Sequence, residues 1–98
     1  MPLVVDPDGV ELVTIRELVD LRGLQVVDVG CGPGRLTFAC AEAGAQVFGF
    51  DPDEDEIARA RAETPRALRR SVRFEVGDAA KLDLPRRKFD LALFSWSL

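Results

Sequence analysis

Apolar and polar residues fall in alternating blocks along this chain, and the blocks predict strands and helices in turn. Leu24 to Val29 is a short apolar run interrupted only by Gln25 and Asp28, and Ala45 to Phe50 is a second. Such runs suit strands covered on both faces of a parallel sheet. In a third, Val72, Phe74 and Val76 alternate with Arg73 and Glu75. That pattern suits a half-buried strand at a sheet edge, where charged residues also deter mispairing. Leu91 to Ser95 is a fourth strand.

Helical patterns separate the strands. Val10 to Leu21 places Val10, Val13, Leu18 and Leu21 near helical spacing and ends at Arg22-Gly23. Arg35 to Ala43 is rich in small residues, which let a helix lie close on a sheet, and Gly44 is its stop. From Glu54 to Glu63 the acids Glu54, Asp55 and Glu56 come first and Arg59 and Arg61 later, which complements a helix dipole. Asp53 is its N-cap, with Glu56 completing a capping-box-like pair. Thr64-Pro65 interrupts that helix. Met1 to Gly9 reads as a loose lead-in and Ala79 to Lys88 as a polar loop. Strands alternating with helices give an α/β fold with an open parallel sheet.

The first strand stops at Gly30-Cys31-Gly32-Pro33-Gly34, and a helix follows at once. Glycines there let the backbone take positive φ and approach a ligand closely. The helix behind them turns its free N–H groups and positive dipole end toward the turn. A purely structural strand-to-helix turn is the plain alternative. Two features favour a ligand site. Asp51 ends the second strand about 20 residues past the first glycine, where a ribose-binding acid belongs. Gly77-Asp78 ends the third. All these strand tips fall on one edge of a parallel sheet, the edge at which open α/β folds bind ligands.

Val26 to Gly34 resembles motif I of the class I S-adenosylmethionine-dependent methyltransferases, a hydrophobic-acidic-hydrophobic-G-x-G-x-G run. Asp51 matches the acid ending that family's second strand, Gly77-Asp78-Ala79 its adenine-contacting segment, and Phe89-Asp90-Leu91 to Ser95 its fourth strand. The resemblance implies a Rossmann-like sheet in strand order 3-2-1-4, truncated relative to the full seven-stranded methyltransferase fold. Residues 1–98 would then form an incomplete S-adenosylmethionine-binding domain. It implies that Gly30, Cys31, Gly32 and Gly34 form the loop at the methionine end of the cofactor, with Asp28 shaping that loop and lying near the methionine part. Asp51 would accept the ribose hydroxyls and Asp78 the adenine amine, with Pro52 and Ala79 flanking the ring. Phe94 and Ser95 would stand where the fourth strand faces the methyl group, although core packing is the stronger reading of Phe94. No Asn/Asp-Pro-Pro-Tyr/Phe sequence follows that strand. Amine-directed members carry one, so its absence leans toward a small-molecule acceptor at carbon or oxygen.

Composition narrows the classes. At 98 residues the chain is one domain of modest core. The net charge of −4 argues against a general nucleic-acid surface, and Arg66, Arg69, Arg70 and Arg73 read as a solvated helix end. The chain has no histidine, which removes the commonest general base and metal ligand. Cys31 and Cys40 fit no zinc spacing and read as reduced packing residues. No apolar run approaches the roughly 18 residues that span a membrane, and the N-terminus lacks signal-peptide character, so a cytoplasmic location is expected.

Two other functions compete. A nicotinamide- or flavin-binding oxidoreductase unit needs G-x-G-x-x-G, but Arg35 holds the sixth position and the third glycine, Gly34, comes one place early. A non-catalytic cofactor-binding or assembly module, completed by a partner, is the other. Right-handed crossovers put both connecting helices on one face of the sheet. The opposite face and the outer edge of the fourth strand are therefore expected to be open, and a homodimer or partner subunit is expected to cover Leu91, Leu93, Phe94 and Trp96.

Overall fold

The computed structural model describes the backbone of residues 3–5 and the whole of residues 20–78 and 89–94. The elements are β1 (Leu3–Val5), β2 (Gln25–Val29), α1 (Arg35–Glu42), β3 (Gln46–Asp51), α2 (Glu54–Glu63), a 3-10 turn (Arg66–Leu68), β4 (Val72–Val76) and β5 (Leu91–Phe94). They build one sheet in the order β1-β5-β2-β3-β4. Every neighbouring pair is parallel. The four predicted strands thus stand in the expected order 3-2-1-4, as β4-β3-β2-β5.

The lead-in is not loose throughout. Leu3–Val5 is a fifth strand, paired in parallel with Leu91–Leu93. It occupies the outer row of β5's backbone N–H and C=O groups, so β5 is an interior strand and not the open edge expected. The edges are β1 and β4. The predicted helix over Val10 to Leu21 lies almost wholly outside the described residues, as do the polar loop from Ala79 to Lys88 and the residues Ser95 and Trp96.

Both helices pack on one face of the sheet, as right-handed crossovers require. There Val26, Val47, Leu91 and Leu93 meet Cys40 and Ala41 of α1. Ile57 and Ala60 of α2 pack with Phe74 and Cys31. Leu91 and Leu93 have 0% exposure within the single chain. They alternate inward toward the helices, so no partner is needed to cover them. The opposite face is not bare either, contrary to expectation. Val27 and Val29 are each 4% exposed and Phe50 1%, with Phe48, Phe89, Ala92 and Phe94 half-buried around them. Val76 is the exception to the alternation in the third predicted strand, being 44% exposed where β4 runs out.

Local chemistry sets the element ends. Asp53 caps α2, its carboxylate accepting from the Asp55 and Glu56 N–H groups at 2.9 and 3.3 Å. Arg61 Nη2 donates to the Phe74 carbonyl at 2.7 Å and ties α2 to β4. At the N-terminal ends of the strands, Asp90 clamps β5 to β2. Its carboxylate accepts from Gln25 N–H at 2.8 Å while its own N–H donates to the Gln25 carbonyl at 2.7 Å.

Candidate cofactor site

The strand registers bring the C-terminal tips level: Val29 lies beside Phe50 and Phe94, and Asp51 beside Val76. The glycine turn leaves β2 at this edge. The Gly30 and Cys31 N–H groups both donate to the Phe50 carbonyl, at 2.9 and 3.0 Å, and hold the turn against β3. The Gly32 N–H donates to Asp51 Oδ2 at 3.0 Å. Asp51 Oδ1 accepts from the Asp53 N–H at 2.9 Å. The half-buried Asp51 carboxylate therefore joins the glycine turn to the start of α2. An ionised carboxylate offers about four acceptor sites, so each oxygen keeps capacity for a ligand hydroxyl. The Gly77 N–H donates to the Asp51 carbonyl at 3.0 Å, which fixes the segment leading to Asp78 beside the same residue.

The two later glycines of the turn differ in purpose. Gly34 has φ of +91°, and a Cβ there would stand 2.8 Å from Phe74 Cζ and 3.2 Å from Phe38 Cζ. Its bareness serves the packing of those two rings, which meet edge to face at 5.6 Å. Gly32, at φ +56°, faces open space, where a Cβ would meet only Glu56 Oε2 at 3.6 Å. That open backbone, with Asp51 against it, is the cradle a hydroxyl-bearing cofactor needs, and the donor set fits one.

Asp28 lies beneath the turn. It is 0% exposed and accepts from Thr37 Oγ1 at 2.7 Å, which links β2 to the first turn of α1. Its place fits the loop-shaping role that the resemblance implies; a direct contact with a ligand would require it to be uncovered. α1 starts at Gly34 with no side-chain cap and no acid in its first turn. Cys31 is buried, and burial first, then the Asp28, Asp51 and Glu56 charges, push its thiol up to about 12. Cys40 is pushed up to about 12 by burial and by Asp28. Both are packing thiols with little thiolate at neutral pH.

Pro52 is exposed next to Asp51, and Asp78 is exposed past the end of β4. Phe94 is half-buried against the Val27, Val29 and Phe50 cluster on the face away from the helices. Ala79 and Ser95 lie outside the described residues. Glu56 is a residue of this edge that the helix-cap reading of the sequence did not assign to the site. Among the described residues no group of three or more His, Cys, Asp or Glu could hold a metal, and no helix is long and apolar enough to cross a membrane.

A model of the methyltransferase domain family matches residues 26–98. The ubiquinone biosynthesis O-methyltransferase of Bradyrhizobium diazoefficiens is 35% identical over 79 residues, covering 81% of this chain and 30% of that protein. Aklanonic acid methyltransferase of Streptomyces sp. strain C5 is 39% identical over 95 residues, covering 94% of this chain and 42% of that protein. In three dimensions, magnesium protoporphyrin IX methyltransferase of Synechocystis PCC 6803, solved with bound S-adenosylmethionine, superposes with a TM-score of 0.67. It is 32% identical, over 76% of this chain and 36% of that one. The chain thus spans between 30% and 42% of the length of these relatives. Its glycine turn, its strand order and this match over most of its length show that it belongs to the methyltransferase domain family, among the class I S-adenosylmethionine-dependent methyltransferases.

Proposed function

We propose that this chain is the cofactor-binding portion of an S-adenosylmethionine-dependent methyltransferase acting on a small-molecule acceptor. The observation that carries the reading is the bond from the Gly32 N–H to the Asp51 carboxylate, by which an open glycine backbone stands beside a half-buried acceptor. S-adenosylmethionine, when bound, supplies a methyl group already activated by its positive sulfur. The protein's task is then largely to hold two reactants in line. Asp51 accepts the ribose hydroxyls with the lone pairs its internal bonds leave. Gly30, Gly32 and Gly34 give the methionine end a close backbone, and the uncapped start of α1 offers it N–H groups. Asp28, through Thr37, keeps that turn in shape. Pro52, Asp78 and Ala79 receive the adenine, and Phe94 and Ser95 border the methyl group.

Small-molecule acceptors are favoured by the relatives, whose names point to ubiquinone biosynthesis and aklanonic acid. The net charge of −4 supports the same choice over nucleic acid. Residues 1–98 act as one cofactor-binding unit in this reading, and the acceptor is held by further sequence or by a partner subunit. A cytoplasmic setting accords with two free, buried thiols. A dinucleotide would lay its pyrophosphate on the glycine turn. An acid in the place of Asp51 suits both cofactors, but the glycine spacing, with Arg35 at the sixth position, and the Glu56 carboxylate near Gly32 disfavour that reading.

Calorimetric titration with S-adenosylmethionine and with NAD tests the proposal. S-adenosylmethionine is expected to bind and NAD not. Asp51→Ala removes a charged acceptor whose bonds are worth ~1.5–3 kcal/mol, so affinity should fall roughly tenfold or more. Melting must be followed in parallel, because Asp51 also holds the Gly32 and Asp53 N–H groups. Unchanged affinity in a folded Asp51→Ala variant would remove Asp51 from the site, and binding of NAD alone would favour the oxidoreductase.

A further inference from the structure

The outer strands on the two sides of the sheet are protected by different means. β4, which has no neighbour on its outer side among the described residues, carries its own charges, and Arg73 Nη2 donates to Glu75 Oε1 at 2.8 Å along it. Charged side chains on an edge strand discourage pairing with another chain. β5 has nothing of the kind. From Leu91 to Leu98 the sequence holds no charge and no proline. A row of backbone N–H and C=O groups on such a strand is a ready template for a further strand. That row is the one β1 covers, with Leu3, Val4 and Val5 beside Leu91, Ala92 and Leu93.

β1 is suited to cover an edge without offering a new one. It has three residues. In the sequence Pro2 precedes it and Asp6-Pro7-Asp8 follows. Proline has no N–H to give a ladder, and charge opposes edge pairing, so neither flank favours a longer strand. The cover is also detachable, because a three-residue ladder sets few hydrogen bonds against the entropy of ordering the segment. β5 separates β1 from β2 and β3, which lead to the glycine turn and carry Asp51, so covering the edge is independent of the cofactor contacts.

We propose that β1 is a guard strand, which holds the outer edge of β5 closed against β5 of a second copy of this chain. Two identical edges related by a two-fold axis normal to the sheet meet antiparallel. An antiparallel pair is slightly more stable per residue than the parallel pair it would replace. The in-chain strand wins in dilute solution because it is always at hand, and the second copy wins only at high concentration or when β1 is removed. The second copy pairs through β5 because β5 is bare of charge, whereas β4 carries Arg73 and Glu75.

The test compares the full chain with its Val4→Pro/Val5→Pro double variant. Successive residues of a strand turn their N–H groups to opposite sides, so one of the two prolines removes a donor to β5. Sizing with light scattering across a dilution series reads the association, and hydrogen exchange of peptides covering residues 91–93 reads the edge. The variant is expected to dimerise at a concentration about tenfold or more below that of the wild type, since a guard that leaves β5 competent a tenth of the time weakens the apparent affinity by that factor. In dilute solution its 91–93 amides that face β1 should exchange about tenfold or more faster than in the wild type, and slow again as the dimer forms. A folded variant that stays monomeric throughout overturns the proposal. A dimer whose 91–93 amides stay fast overturns it too, because another surface then makes the contact. So does a wild-type chain that associates at the same concentration as the variant. A variant that loses the native circular dichroism spectrum shows β1 to be part of what folds the sheet and not a guard, and overturns it likewise.

Discussion

The two helices begin on the same edge of the sheet and are finished in opposite ways. α2 starts from Asp53, whose carboxylate accepts two backbone N–H groups, and carries Glu54, Asp55 and Glu56 in its first turn. Its positive end is answered by its own side chains. α1 starts from Gly34, with no side-chain cap and no acid nearby in its first turn. The first N–H groups of a helix have no partner within it, so they must be answered from outside. The difference separates a helix start answered by its own side chains from one they leave unanswered, the one to which the proposed function assigns the cofactor's methionine end. The two starts are joined through Asp51, whose carboxylate accepts from the Gly32 N–H before α1 and from the Asp53 N–H at the cap of α2.

The sharpest way to break the comparison is at the start of α1. Gly34→Ala puts a methyl group 2.8 Å from the Phe74 ring at a φ of +91°. A left-handed non-glycine residue costs roughly 1–2 kcal/mol. Overpacking a filled site adds about 1–3 kcal/mol. A loss of about 2–5 kcal/mol is therefore expected in urea unfolding. Gly23→Ala is the control, since φ is +75° there but nothing lies within 4 Å. It should cost only the conformational part, about 1–2 kcal/mol. Equal losses at the two positions would mean that the rings yield and that Gly34 is there for the turn alone.

Thr37→Val probes the same helix from beneath. The hydroxyl donates to the fully buried Asp28 carboxylate, and valine keeps the shape without the donor. Leaving a buried polar group short of a partner costs about 1–3 kcal/mol. Because the bond joins β2 to α1 across the glycine turn, affinity for S-adenosylmethionine should fall along with stability. Stability lost without affinity would separate the support of the turn from the site itself.

The sequence carried this edge well because its signals are local. The glycine turn, Asp51 and α2 from Glu54 to Glu63 lie where spacing and caps put them. What it could not carry depends on distant chain. Leu3–Val5 has too few residues to show a period, and it becomes a strand only because Leu91–Leu93 offers an unpaired edge. Gly34 reads as a turn glycine, and that its missing Cβ also makes room for Phe74, forty positions away in the sequence, is not legible there. Glu56 reads as a capping partner until Asp51 takes the N–H it would have used. The face expected to be open is buried at Val27, Val29 and Phe50, and alternation in three short strands does not reveal what covers them.

At the start of α2 the expected effect is smaller and of a different kind. Asp53→Ala removes the cap, worth about 0.5–2 kcal/mol. The bonds from Asp53 to the Asp55 and Glu56 N–H groups are lost, but the Asp53 N–H that Asp51 accepts is backbone and remains. Thermal melting should therefore shift down while Asp51 keeps its place. Cofactor affinity should change less than twofold, a factor worth about 0.4 kcal/mol. A large loss of affinity would show that the proposed site depends on α2 being capped, and the two helix starts would then be less distinct than their geometry indicates.

The far end of α2 should matter least. Arg59 and Glu63 form an i,i+4 ion pair with Nε to Oε1 at 3.2 Å, but their side chains are 61% and 53% exposed. Water competes for both groups, and holding two long side chains in one arrangement costs entropy, so such pairs contribute about 0.3–0.5 kcal/mol. The order is also unfavourable, since an arginine N-terminal to a glutamate sets the pair against the helix dipole. Arg59→Ala further gains the helix propensity of alanine, which offsets part of the loss. A double-mutant cycle on Arg59→Ala and Glu63→Ala should return a coupling of a few tenths of a kcal/mol that shrinks as salt is added. Cofactor affinity should not move, because both side chains of the pair are exposed and make no bond to the glycine turn or to Asp51. A coupling above about 1 kcal/mol, or a change in affinity, would mean that the whole of α2, and not its first turn alone, is tied to the proposed site.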